Sequence, residues 1–377
     1  MRVAIVSDYG LPDARIERMI STFLNREYEI HFIGNVRGFT GIINPEKINF
    51  IEIKWNKYTS LGIEPYYSWI KRKIMRILKR VRPDIIIAVN VYSGRLIYEL
   101  GYPLILDSRE VLDLRAFYGL PYRRNLIDRI IHMMILKRIV ESEYLIFEKH
   151  PVLAISDLAA KHYKYGMGAS KVYIVKNYPL RSEGVCALFN HPSRNEILMT
   201  YIGKEFTSGV NHHTFHRRMD TTWKVLQRTL HSYDFVRLLV IGDDKLKTQG
   251  NIVSLGYIKH MSIYRHLARV HYGILTLEPH IFHKYTNLLR AYMYAHAGVI
   301  PVITSTLEDV LKDLNKHSIV VEAENFKYNL ELTLKKIIEE FDYEEHLLRR
   351  YKLINYARNS LTWENQEKTL INAIKHA

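Results

Sequence analysis

The sequence predicts an α/β protein made of two Rossmann-like domains facing across a cleft. Three observations predict it. Strand-like runs alternate with helix-like ones along nearly all 377 residues, a length that suits two domains of ordinary size. The strand-like runs are unbroken Ile, Val and Leu, as in strands buried on both faces of a parallel sheet. The alternation breaks once, at 177–196, and then restarts.

The elements follow in order. "VAIVS" (3–7) reads as the first strand, and "DARIERMISTFL" follows with Ile16, Met19, Ile20 and Phe23 at helical spacing. Strands are expected over 28–33 and 48–53. "YYSWIKRKIMRILKRVRP" (66–83) is a basic helix whose Ile70, Ile74, Ile77, Leu78 and Val81 form one stripe. "PDIIIAV" and "YPLILD" are buried strands, a long helix spans 125–149, and "PVLAIS" and "KVYIVKN" add two more strands. "NYPLRSEGVCALFNHPSRNE" has two prolines, a glycine and little periodicity, which predicts an interdomain linker. Beyond it come "ILMTYIG", a helix near 213–230, "VRLLVIGDD", "NIVSLG", a helix near 262–270, "HYGILTLEP", a helix from about 286, "VIPVIT" and "SIVVE". Two or three helices finish the chain. The expected domains are 1–180 and 181–350, with a C-terminal helix in 351–377 crossing back to the first. Ligands of such sheets sit beyond the C-terminal ends of the strands.

Composition narrows the class. Hydrophobic residues make up 47%, enough for real cores. A single thiol, Cys186, cannot form an intrachain disulfide, which suits a cytoplasmic setting. "MRVAIVSDYG" is too short an apolar run for a signal peptide, and "IIHMMIL" (130–136) is too short to cross a bilayer. The net charge of +15 favours anionic partners. Many Tyr, Ile, Lys and Arg with little Cys suit a heat-adapted, thermophilic protein.

Several signals are absent. No GxxxxGK[ST], no dinucleotide fingerprint, no GxSxG and no DxD occurs. What remains is "YTNLLRAYMYAHAGVIPVIT" (285–304). A strand ends at Pro279, a helix starts near Thr286 or Asn287, either of which can cap it, and Asn287, Arg290 and Tyr294 share one face. Arg290 in the first turn, beside exposed backbone N–H groups, makes a cradle for a diphosphate.

This stretch, with "N..R" in place of N..K, resembles the donor-binding segment of GT-B glycosyltransferases, especially the GT4-like group. "MTYIGKEFTSG" resembles their strand, glycine and basic residue, at Gly203 and Lys204, and "LLVIGDD" resembles the strand end that places Asp243. "ILDSREVLD" resembles the acceptor-side segment, with Arg109 where a histidine is usual. "AISDLAAKHYKYGMGASKVYIVKNYP" resembles the close of the first domain, and the region of Trp363 the final helix. The resemblance implies a hexosyltransferase-like enzyme that moves a sugar from a nucleoside-diphosphate sugar to a glycan, lipid-linked or protein acceptor, with retention and without a metal or other cofactor. It implies donor binding by Gly203, Lys204, Asp243, Thr286, Asn287 and Arg290, and acceptor-side roles for Gly10, Arg15 and Arg109. Lys204, Arg290 and the helix end would stabilise the leaving phosphate. Asp8 and Glu110 are the base candidates for an inverting reaction, and Glu278 could face the transferred sugar. The sequence departs from the family pattern where ribose-binding glutamates are usual, at Met293 and Tyr285.

Alternatives remain open: a sugar-nucleotide epimerase of the same fold, or a non-catalytic basic protein for nucleic acid or membrane. No aromatic-interleaved basic strand of the kind that stacks bases occurs, so no specific nucleic acid is expected. Lys73, Arg76 and Arg80 belong to a block of cations on the 66–83 helix, which predicts reversible docking at an anionic membrane surface. His212 and His216, at i and i+4 with His213 beside them, have zinc-binding spacing, but no nearby cysteine or carboxylate completes a site and no metal is expected.

Overall fold

The computed structural model describes residues 1–55, 63–207 and 214–377. The chain forms two compact units, 1–176 with 366–377, and 177–365.

In unit 1, β1 (Arg2–Leu11), β2 (Glu29–Val36), β3 (Asn49–Glu52), β4 (Ile85–Val89), β5 (Leu104–Ser108), β6 (Val152–Ala154) and β7 (Val172–Ile174) form a parallel sheet ordered β3-β2-β1-β4-β5-β6-β7. The Ile and Val runs of β1 and β4 are buried throughout, as strands covered on both faces must be. Helices α1 (Ala14–Leu24), α2 (Tyr66–Val81), α3 (Asn90–Glu99), α4 (Leu112–Gly119), α5 (Leu126–Lys149) and α6 (Asp157–Lys161) connect the strands. Asp13 caps α1 by accepting from Ile16 N at 2.9 Å, and Asn125 caps α5 through Asp128 N at 2.8 Å. The stripe of α2 is buried as its spacing predicts, together with Tyr67.

In unit 2, β8 (Ile197–Ile202), β9 (Val236–Ile241), β10 (Ile252–Ser254), β11 (Tyr272–Leu275), β12 (Ile300–Thr304) and β13 (Ile319–Val321) form a second parallel sheet, ordered β10-β9-β8-β11-β12-β13. Its helices are α7 (Asp220–Ser232), α8 (His260–Leu267), α9 (Leu289–Ala297), α10 (Glu308–Leu314), α11 (Phe326–Glu339) and α12 (Tyr343–Ser360). Helix α13 (Glu367–Lys375) returns to unit 1. In both sheets the strand order reverses beside the first strand, between β1 and β4 and between β8 and β11. Such a reversal opens a crevice at the carboxyl ends of the strands.

Three expectations are corrected. The returning segment begins at Gln366, not at 351, because α12 packs on α9 within unit 2. The stretch 177–196 is no free linker, since it belongs to unit 2. Its Glu183 is fully buried, accepts from Leu180 N at 2.8 Å and meets His260 and Tyr264 at 2.7 and 3.0 Å. Arg350 of α12, also fully buried, donates to the carbonyls of Ala187, Asn190, Ala268 and Gly298, which satisfies the polar backbone that an irregular segment leaves over. Finally, neither Thr286 nor Asn287 caps α9. Its N-cap position is Leu288, with no side-chain bond to the first turn.

Candidate functional site

The crevice of unit 2 is built around Arg290, the second residue of α9. Its Nη1 donates to Tyr201 OH at 2.8 Å and to the Ile202 carbonyl at 2.6 Å, which pins it to the carboxyl end of β8. The guanidinium lies over the Tyr201 ring, 5.0 Å from its centroid, and its Nη2 is 3.5 Å from Glu205 Oε1. Burial works to lower the Arg290 pKa, but Tyr201 and Glu205 outweigh it and hold the guanidinium charged. Burial likewise tends to raise the Glu205 carboxyl, yet Arg290 and the Tyr201 hydroxyl, 2.5 Å away, bring it below its ordinary value.

Gly203 makes this approach possible. At φ +151° it sits where side chains are disfavoured. A Cβ there would overlap Glu205 Oε2 and come within 2.7 Å of Arg290 Nη1 and 2.9 Å of Tyr201 OH. Gly273, on β11, serves in the same way. Any Cβ would strike the ring of Tyr294, whose hydroxyl accepts from Ile202 N at 3.1 Å. Tyr201, Glu205, Gly273 and Tyr294 were not singled out as site residues from the sequence, apart from Tyr294's place on the Arg290 face. A glycine inside an otherwise apolar strand was the available signal for a close approach.

The other donor-side candidates divide. Lys204 is exposed at the head of the turn after β8. Asp243 is buried and accepts from Thr207 Oγ1 at 2.7 and 2.8 Å and from Lys245 N at 3.1 Å, so it fastens that same turn. Thr286 donates to the Phe282 carbonyl at 3.3 Å. Asn287 is buried. Its Nδ2 donates to Tyr292 OH and Asp309 Oδ2 at 2.7 and 2.9 Å, and its Oδ1 accepts from Asn177 N at 2.9 Å. Both of its amide protons are thus spent inside unit 2. Glu278 accepts from Thr221 N and Oγ1 at 2.8 and 2.9 Å and pairs with Arg218 at 3.2 Å, bound to the start of α7. Met293 is buried in the core.

Unit 1 gathers its candidates at the ends of β1 and β5. Asp8 is partly exposed, but its Oδ1 is buried without a hydrogen-bond partner, and burial raises its pKa to about 7. Arg109 pairs with Asp13 and, at 3.2 Å, with Asp107, while Arg15 is buried against Asp107 at 2.7 Å and donates to the Val175 carbonyl at 2.7 Å. Glu110 pairs with Arg115. Gly10, at φ +80°, brings the end of β1 against Asn35, where a Cβ would lie 2.5 Å from the carbonyl oxygen.

His212 and His213 lie outside the described residues. His216 is buried among Phe215 and Phe282. Among the described residues, no group of three or more His, Cys, Asp or Glu side chains could hold a metal ion.

No family model and no curated protein matches the chain. Solved structures do. A sucrose-phosphate synthase from Thermosynechococcus elongatus aligns with a TM-score of 0.72 at 11% identity, covering 100% of this chain and 98% of that one. Anabaena HepE in complex with UDP and glucose aligns at 0.69 and 11%, covering 100% of both chains. A Listeria monocytogenes protein described as a UDP-N-acetylglucosamine 2-epimerase aligns at 0.59 and 10%, covering 99% and 95%. With its two parallel sheets, each reversing beside its first strand, the chain has the GT-B glycosyltransferase fold.

Proposed function

We propose that the protein is a glycosyltransferase that takes a sugar from a nucleoside-diphosphate sugar. One observation carries the proposal: a charged guanidinium, Arg290, is held at the crevice of the second sheet by groups that fix its direction. Cleaving the bond between sugar and β-phosphate leaves negative charge on the phosphate. In this reading Arg290, Lys204 and the first turn of α9, which has no side-chain cap, are the positive groups that meet it. Donors arranged before the reaction stabilise that charge without reorganisation, so the chemistry proposed needs no metal.

Retention follows in this reading because the leaving phosphate can take the acceptor's proton, and no enzymic base is then required. Asp8 supplies the inverting alternative. With a pKa near 7 and an unpartnered oxygen, it can accept a proton from an acceptor hydroxyl at neutral pH. The acceptor in this proposal is a glycan or a lipid-linked sugar taken by unit 1. The outward face of α2 bears Arg72, Arg76, Lys79 and Arg80, all exposed, and Lys73 is set against the Trp69 ring, so this face could hold the enzyme at an anionic membrane. Lys71 is drawn out of that block by Glu99 at 2.8 Å.

HepE's complex holds UDP and glucose, which makes UDP and UDP-glucose the first ligands to test. Each would be added in a thermal-shift series with other nucleotide sugars, followed by product analysis. A stabilising sugar nucleotide, consumed only when an acceptor is present, supports transfer. Conversion of the sugar nucleotide to an epimer without an acceptor would favour the epimerase reading, for which the Listeria likeness is the supporting observation. If no nucleotide or sugar nucleotide raises the melting temperature, the donor site is refuted.

A further inference from the structure

Helix α5 buries one face in unit 1 and, at its start, exposes an apolar arc on the opposite face. One face, with His132, Ile139, Ser142, Glu143, Ile146 and Phe147, is buried in unit 1. Along the first three turns the other face carries Leu126, Ile127, Ile130, Ile131, Met133 and Met134, each between 49 and 72% exposed. At 3.6 residues per turn these six occupy a single broad arc, and the turns they span run about 13 Å along the axis. A contiguous exposed apolar arc of this kind marks a surface for a partner or for lipid. Phe117 of α4, 56% exposed, adds to this region, since α4 is tied to α5 by His132 and the Ala116 carbonyl at 2.6 Å.

The rim identifies the occupant. Arg124 and Arg129 are exposed, Arg123 is bonded to His132, and Asp128 is the one acid among residues 121–137. A second copy of this surface would bring arginines toward arginines. An anionic bilayer offers apolar chains to the arc and phosphates to the rim. The middle of α5 also meets the start of α2, where Arg138 lies 5.4 Å from the Tyr67 ring centroid. Beside Tyr67, the side chains of Tyr66 and Trp69 are 46 and 55% exposed, and aromatic groups of this kind favour the headgroup layer.

We infer that the first three turns of α5 insert their apolar arc into an anionic membrane surface. This deepens the membrane reading given for α2 but does not need it. The cationic face of α2 attracts by charge, whereas α5 buries apolar area, so the two respond differently to salt.

The test uses the full chain with vesicles of phosphatidylcholine, alone and mixed with phosphatidylglycerol. Wild type should co-sediment with the mixed vesicles, and part of that binding should survive high salt. The variant Ile127→Ser/Ile130→Ser/Met134→Ser should lose the salt-resistant part by at least about a hundredfold, given the apolar area removed. These positions are exposed, so its unfolding temperature should match wild type. Lys73→Glu/Arg76→Glu/Arg80→Glu should lose only the salt-sensitive part; if it binds as wild type does, α2 docking fails and α5 insertion stands. In Met134→Trp, emission from the introduced indole should shift to the blue on vesicles and be quenched by brominated acyl chains. Vesicle binding equal to wild type in the serine variant, or an indole emission in Met134→Trp that vesicles leave unmoved, overturns the inference. A serine variant that turns a dimer into a monomer while keeping vesicle binding assigns the arc to self-association and overturns it as well.

Discussion

Arg290 and Glu205 form an ion pair around the backbone of Gly203, with nitrogen and oxygen 3.5 Å apart and both side chains about nine-tenths buried. The cation proposed for the phosphates therefore already has a carboxylate beside it. The pair is loose, because Arg290 spends its shorter bonds on Tyr201 and the Ile202 carbonyl.

The first prediction follows from that pairing. Arg290→Ala should weaken nucleoside-diphosphate binding by roughly ten- to a hundredfold, the worth of a charge-assisted contact. Lys204→Ala should weaken it in the same direction. Glu205→Gln should strengthen it several-fold, because an incoming diphosphate no longer meets a like charge. Titration calorimetry with UDP measures all three. Affinity unchanged in Arg290→Ala and Lys204→Ala would sink the donor-site assignment.

Asn287 should behave differently, although it lies only three positions away. Removing its side chain takes away buried hydrogen bonds to Asn177 N, Tyr292 OH and the Asp309 carboxylate, each worth about 1 kcal/mol. Asn287→Ala should lower the unfolding free energy by about 2–4 kcal/mol and leave the nucleotide affinity of the folded protein near wild type. A large loss of affinity at unchanged stability would restore Asn287 to the ligand.

Metal dependence separates this chemistry from metal-assisted transfer. If a guanidinium and a helix end meet the leaving phosphate, turnover should survive EDTA. Loss of turnover in EDTA, recovered with Mg²⁺ or Mn²⁺, would contradict the proposal.

These contrasts show what the sequence can carry. The buried strands were legible because Ile and Val runs have no other stable place in an α/β chain. Arg290 stood out because its position in a first turn is local information. The partners of Asn287 were not legible, since Asn177 lies 110 residues away and Asp309 lies 22. Arg15, read as facing an acceptor, is instead buried against Asp107, 92 residues on. A polar residue before a helix has the same local signature whether it caps, clasps or binds, and only the tertiary partners decide. Glu205 was hidden for a related reason. Its carboxylate reaches Arg290 through a turn that only Gly203's backbone permits.

The last prediction concerns Asp8. Its carboxyl is raised to about 7 by burial, against an unfolded value near 4. A raised acid favours the folded state while it is protonated, and that advantage is lost as pH climbs from about 4 to about 7. Above pH 7 the charged, poorly solvated carboxylate works against the fold. Asp8→Asn keeps the shape and removes the charge, so at pH 8 it should be more stable than wild type. The gain should be about 1–2 kcal/mol, allowing for the partial exposure of the side chain. At pH 4 the two proteins should unfold alike. Activity gives the second reading. If Asp8 is the base of an inverting reaction, wild-type turnover should rise with pH through about 7 and Asp8→Asn should be nearly inactive while still binding UDP. If the reaction retains configuration without an enzymic base, the variant should keep most of its turnover and the rise through pH 7 should be absent. Stability curves of both proteins between pH 4 and 8, with turnover over the same range, decide it. A variant no more stable than wild type at pH 8 would show that Asp8 titrates like an ordinary carboxylate and could not act as a base near neutral pH.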